Sequence, residues 1–151
     1  MFYGNGVKMS FKRCLERGKI KEFSQGKALV QKELQTAKKD LSDGKEGFER
    51  GKYKWTTIQG YYVMFHSARA LLYNKNYREK SHHCLIIGLK HLYVDTGKLQ
   101  DYFIEALQKG KALREDADYY DDWSQVGSEE VLKLAEEFLN KAKELIKESS
   151  A

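Results

Sequence analysis

No proline occurs anywhere in this chain of 151 residues. Proline breaks helix interiors and marks turns, so a chain without it can run long helices joined by other breakers. Lys, Glu, Leu and Ala are abundant while Val and Thr are few, a balance that favours helix over sheet. The length suits one domain with a real core and is short for two.

Apolar periodicity predicts six helical segments. The first is short, around Met9 to Arg17, and "RGKIKEFSQG" interrupts after it. The second runs from about Lys27 to Phe48, with Val30, Leu34, Ala37 and Leu41 on one stripe and Gly51 closing it. The third, about Trp55 to Tyr73, carries Ile58, Tyr61, Tyr62, Phe65, Ala68 and Leu72 on a broad apolar face, widened by Met64 and Leu71. A helix this apolar belongs in the middle of a bundle, and Gly60, Ser67, Ala68 and Ala70 would let a neighbouring backbone come close. The connector "NKNYREKS" leads to a fourth helix from about Ser81, its N-cap, to Val94. The fifth covers about Leu99 to Asp118, and "DADYYDDWSQVG" reads as a loop. The sixth starts after Ser128, with Glu129 and Glu130 in its first turn, and "IKESSA" reads as a frayed end. The fold expected is all-α, an antiparallel bundle of five to six helices in a single domain over residues 1–151, with a core at 27–147 and an N-terminal extension at 1–26.

No stretch approaches the roughly 20 apolar residues of a membrane span, and the N-terminus lacks a signal-peptide pattern. Cys14 and Cys84 lie far apart and match no metal spacing. They read as two reduced thiols in a cytoplasmic protein, a disulfide being the alternative. The net charge of +5 is unevenly spread: residues 1–94 hold 19 Lys or Arg against 8 Asp or Glu, residues 95–151 hold 8 against 14. A basic half can attract a polyanion such as RNA, or the two halves can attract each other or a second copy.

The segment "YREKSHHC" gathers an arginine and two histidines, with four residues between Arg78 and His83. Histidine exchanges a proton near neutral pH, and arginine offers a fixed charged fork to a crowded phosphate. The ribose 2′-OH supplies an internal nucleophile, so the pair suits RNA cleavage. The plainer reading makes Ser81 a helix cap, Arg78 and Lys80 solvated cations, and one histidine buried while the other faces water. Adjacent helix residues point about 100° apart, so His82 and His83 do not share a role. His66 and Arg69, three apart on one helix face, either line a polar groove or form a core pair. His91 reads as a surface histidine. The carboxylates of "LREDADYYDDW" do not follow a calcium-loop spacing; Arg114 is expected to pair with one of them, and Tyr119, Tyr120 and Trp123 could form a contact surface for a second chain.

Three stretches carry a resemblance. "YYVMFHSARALL" resembles the signature helix of the HEPN domain family (higher eukaryote and prokaryote nucleotide-binding). "KSHHCLIIGLKHLYVDTG" resembles the family's next helix, and "LREDADYYDDW" with the helix after it resembles the family's Arg…Ala-Asp-Tyr region. The resemblance spans roughly residues 55 to 146. It implies a compact all-α bundle, usually dimeric, partnered with a minimal nucleotidyltransferase in a toxin–antitoxin module. It implies a metal-independent endoribonuclease without cofactor, whose Arg-x4–6-His motif cleaves RNA through 2′-OH attack. Carried over, the catalytic candidates are Arg78 and His83, with His82 as the alternative because it holds the Lys-Ser-His position. Lys80, Ser81, Arg69 and His66 are candidates for nucleotide or RNA binding. A non-catalytic nucleotide-binding or protein-interaction module forming a helical dimer is the other reading.

Overall fold

The computed structural model describes residues 10–150, with the backbone of two short strands before them. Those are β1 (Phe2–Tyr3) and β2 (Val7–Lys8), an antiparallel pair. The chain continues through α1 (Phe11–Glu16), β3 (Ile20–Glu22), α2 (Gly26–Glu49), α3 (Tyr53–Tyr73), β4 (Tyr77–Glu79), α4 (His82–Leu89), a π-helical turn over Lys90–Val94, α5 (Asp101–Tyr119) and α6 (Gln125–Ser149). The architecture is all-α: a bundle of long helices carrying two minimal β-ribbons. Among the described residues, no helix is long and apolar enough to cross a membrane.

Serine hydroxyls start three of the helices by accepting an otherwise unpaired first-turn N–H. Ser10 accepts from Arg13, Ser81 from Cys84 at 3.1 Å, and Ser124 from Gly127 at 2.9 Å. Glycines with positive φ close turns at Gly18, Gly51 and Gly97.

The central helix α3 packs against α2, α4, α5 and α6. Its buried residues cover more than half of its circumference, from Ala70 and Val63 through Thr56, Gly60 and Met64 to Tyr61 and Leu72. Ile58, Tyr62 and Phe65, read from the sequence as the inward face, form a half-buried shoulder instead. Its buried hydroxyls bond to backbone carbonyls, Ser67 Oγ to Val63 O at 2.7 Å and Thr57 Oγ1 to Tyr53 O at 2.8 Å, so no polar atom there is left unmatched. The close approach expected at Gly60 is made by α6: a Cβ on Gly60 would lie 2.5 Å from Val131 Cγ1.

Several expectations need correction. Cys14 and Cys84 are not free thiols but a disulfide, with Cα atoms 5.9 Å apart across 70 residues of sequence. Nothing local in the sequence joins them; the β3–β4 pairing brings them together. The interruption before α2 and the connector after α3 each contain a strand. Ile20 pairs with Glu79, Lys21 with Arg78 and Glu22 with Tyr77, and strands of three residues are too short to leave a periodic signature. The fourth helix changes to a wider turn after Leu89, where buried Tyr93 donates its O–H to Leu71 O at 2.6 Å. The sixth helix begins at Gln125 because Ser124, not Ser128, caps it, so Glu129 and Glu130 fall beyond the first turn. Its end is held rather than frayed, since Asn74 Nδ2 donates to Ser149 Oγ at 2.9 Å. The fifth helix reaches one residue past the expected Asp118, to Tyr119, so the loop before Gln125 is shorter than the stretch "DADYYDDWSQVG".

The disulfide and the Gly60 contact give two expectations. A cross-link spanning 70 residues restricts the unfolded chain, which contributes about 4 kcal/mol in the chain-entropy model. Urea denaturation with and without reductant, or of Cys14→Ser/Cys84→Ser, should show a loss of that order. Gly60→Ala should destabilise the fold by about 1 kcal/mol, because overpacking against Val131 outweighs alanine's better helix propensity; a melting curve reads this directly.

Candidate functional site

β4 and the start of α4 present the predicted cluster along one edge of the bundle. Strand alternation sends Arg78 outward and Glu79 inward. Arg78 is exposed and its guanidinium lies 5.5 Å over the Phe23 ring. Glu79 is 4% exposed and accepts two bonds from Arg69, at 3.2 Å from Nε and 2.6 Å from Nη2. This forked, charge-assisted pair ties the ribbon to α3. Lys80 is exposed, next to Lys21 across the ribbon, and its ammonium is driven below the usual lysine range by Lys21 first and by Arg78 and Lys19 beyond it.

The two adjacent histidines part company. His83 lies exposed in the first turn of α4. His82 turns inward, with Nδ1 3.1 Å from the Tyr61 hydroxyl. Its Nε2 is buried and finds no partner among the described residues. Burial lowers the His82 pKa to about 4, with Lys111 adding to the effect, so the ring is neutral at physiological pH. Tyr61 is pushed up to about 12 by burial and keeps its proton.

Ser81's hydroxyl is committed to capping α4. His66 and Arg69 do not pair with each other. His66 Nδ1 stands 3.3 Å from Glu33 and Nε2 3.9 Å from Asp40, both on α2, while Arg69 holds Glu79 and lies 3.8 Å from Glu33. These two candidates sit in a network of carboxylates, where an incoming phosphate would meet like charge. His91 is exposed and stacks on Phe11 at 4.2 Å.

Arg114 joins this region from α5. It donates to Tyr62 Oη at 3.1 Å, pairs with Asp118 at 3.5 Å and lies over the rings of Tyr61, Tyr62 and Tyr119. Tyr61, His82 and Arg114 come one from each of the three stretches that carry the family resemblance, and they meet at one place. The sequence reading singled out neither Tyr61 nor Glu79 for this role; their partners are distant in sequence, and only the fold reveals them. At the far end of α3, Asp121 pairs with Lys54 at 3.0 Å, and Lys54 lies over the rings of Trp55 and Trp123. Tyr119 and Tyr120 stay 63% and 76% exposed there.

The burial of His82 sets a pH dependence. The unfolded imidazole binds a proton near pH 6.5 and the folded one only near 4, so between these values the unfolded state takes up the proton preferentially. The stability attached to His82 is complete above about pH 6.5 and is lost as pH falls toward 4. Denaturation curves across this range should be steeper in pH for the wild type than for His82→Gln. The difference should be a fraction of the about 1.4 kcal/mol per pH unit of a fully shielded group, because the ring keeps some solvent contact.

Comparison with known proteins places the same region in context. The family model described as the HEPN domain matches residues 30–148. A protein of Methanocaldococcus jannaschii described as "Putative toxin MJ0605" is 32% identical over 120 residues, 79% of this chain and 90% of that protein. A "UPF0332 protein" of Archaeoglobus fulgidus is 33% identical over 115 residues, 75% of this chain and 91% of that protein.

Proposed function

Because the chain belongs to the HEPN domain family, we propose that it is the toxin of a two-protein module, a metal-independent endoribonuclease restrained by a minimal nucleotidyltransferase. Arg78 and His83 carry the reaction. The observation that supports this reading is the separation of the two histidines: His83 is exposed at the start of α4, as Arg78 is on β4, whereas His82 is half-buried and neutral. A proton-transfer group has to reach the substrate and titrate near the working pH. His82 does neither, so its place in the Lys-Ser-His motif is a positioning one, through Tyr61.

In the reaction, His83 takes the proton of the ribose 2′-OH as that oxygen bonds to the adjacent phosphorus. The bond from phosphorus to the 5′-oxygen breaks, and that oxygen leaves with a proton from a second acid, the His83 of a second copy in a dimeric site. Arg78 stabilises the added charge on the phosphoryl oxygens as the fifth bond forms. The name of the M. jannaschii relative accords with a growth-arresting role.

A partner-binding reading has its own support in the exposed aromatic end formed by Trp55, Tyr119, Tyr120 and Trp123, since tyrosine and tryptophan are enriched where chains meet. In that reading the surface takes the nucleotidyltransferase.

Expression of the chain alone should arrest growth, and purified protein should cut total RNA in the presence of EDTA. Arg78→Ala or His83→Ala should lower the rate at least about a hundredfold, the usual scale for losing an acid–base group, while His82→Gln should retain most of it. Harmless expression together with intact RNA would overturn the nuclease assignment.

A further inference from the structure

The β3–β4 ribbon carries four cations on one face. Lys21 sits directly opposite Arg78. One step further, Lys80 N–H donates to Lys19 O at 2.8 Å, which puts Lys19 opposite Lys80. Alternation sends all four side chains the same way, away from Ile20 and Glu79, and all four residues are exposed. Like charges directly opposite on neighbouring strands destabilise a sheet, and here two successive rungs are like-charged. Among the described residues none of the four forms an ion pair. The one nearby carboxylate of β4, Glu79, is turned to the other face and held by Arg69. The depressed ammonium of Lys80 is the electrostatic signature of this crowding.

We propose that this ribbon is an accessory site that grips the phosphate backbone of single-stranded RNA beside the Arg78 and His83 edge. The rungs lie about 5 Å across and about 7 Å along the ribbon, an elongated array that suits a row of phosphates better than one. Half-buried Phe23, two residues after Lys21 and beneath Arg78, lies on the same face as the cations. Cations that track the backbone with an aromatic ring beside them are the elements of single-strand binding. Lys19 and Lys21 precede the segment that the family model matches, so the site is built by joining an N-terminal segment to the domain. The disulfide from Cys14 to Cys84 fastens the two. RNA as the ligand rests on the proposed nuclease reading, while the ribbon's role is testable without cleavage.

The test measures binding of a fluorescein-labelled oligouridine to the full chain by anisotropy, over a range of salt, in wild type, Lys19→Ala/Lys21→Ala and Lys38→Ala/Lys39→Ala. The last pair removes the same charge from exposed positions on α2. Losing two phosphate contacts should reduce the slope of log affinity against log salt by about 1.4. Affinity should fall roughly tenfold near 0.1 M salt, with the α2 variant close to wild type. The ribbon variant should melt at or above the wild-type temperature, because removing Lys21 relieves its repulsion from Arg78. Equal losses in the two variants, an unchanged salt slope, or binding to phosphatidylserine vesicles in place of the oligonucleotide would overturn the proposal. Ribbon-dependent binding without cleavage would leave it standing and defeat the nuclease reading; cleavage through Arg78 and His83 that ignores the ribbon variant would do the reverse.

Discussion

The structure depends on α3 being enclosed over more than half of its circumference. Its buried positions, from Val63 and Ala70 round to Tyr61 and Leu72, leave only a half-buried shoulder at Ile58, Tyr62 and Phe65, and α2, α4, α5 and α6 pack around it. Small residues let them do so, Gly60 against Val131 above all. The few polar side chains on its shoulders then need partners from whatever packs beside them. Arg69 finds Glu79, His66 finds Glu33, and Tyr61 finds His82. Two of those three contacts fall on β4 and α4, the elements that carry Arg78 and His83. The position of the candidate site is thus inherited from the need to match the polar fringe of a buried helix.

The N-terminal segment is tied into the same edge by different means. Backbone pairing joins β3 to β4, and a small apolar cluster of Cys14, Ile20 and Cys84, with Phe11, Tyr77 and Ile87 around it, sits beneath. The disulfide lies within that cluster. Sheet hydrogen bonds alone, over three residues, would hold such a ribbon weakly. The cross-link and the Arg69–Glu79 pair anchor its two strands to α4 and α3. This arrangement can therefore tolerate the repulsion between Lys21 and Arg78 that a freestanding hairpin would not.

What could be read from the sequence was what repeats. The long helices announced themselves by stripes such as Val30, Leu34 and Ala37, and the caps by serines such as Ser81. The divergence of His82 and His83 followed from helix geometry alone. What escaped reading was long-range and short-lived in sequence. β3 and β4 span three residues each, and their only trace is alternation in "KIK" and "REK", which an eye tuned to helices takes for loop. Cys14 and Cys84 have no spacing rule to join them, so compartment reasoning gave thiols. Arg69 was readable as polar on a buried helix, but the choice between groove and salt bridge depended on Glu79, whose direction is fixed by a strand that was not foreseen. Ser124 and Ser128 are equally good caps by type, and the fold selected the earlier one.

The choice between neighbouring histidines comes down to the rotational phase of α4, and that phase is set more than once. Ser81 caps the helix and fixes where its first turn begins. Cys84, two residues after His82, is fastened to Cys14 and directs its own face toward the N-terminal cluster. Leu85 and Leu89 are fully buried in the main core. With Cys84 and Leu85 both turned inward, the position one turn before Leu85 is Ser81 and the one before Ile86 is His82, so His82 shares the inward-facing side and reaches Tyr61. His83, one turn before partly exposed Ile87, is left on the outer side. A change that rotated α4 by one residue would exchange the two imidazoles between core and surface, and with them any proton chemistry this edge performs. The disulfide and the serine cap resist that rotation from opposite ends of the first turn. The spacing from Arg78 therefore has meaning only in combination with the residues that set the helix phase.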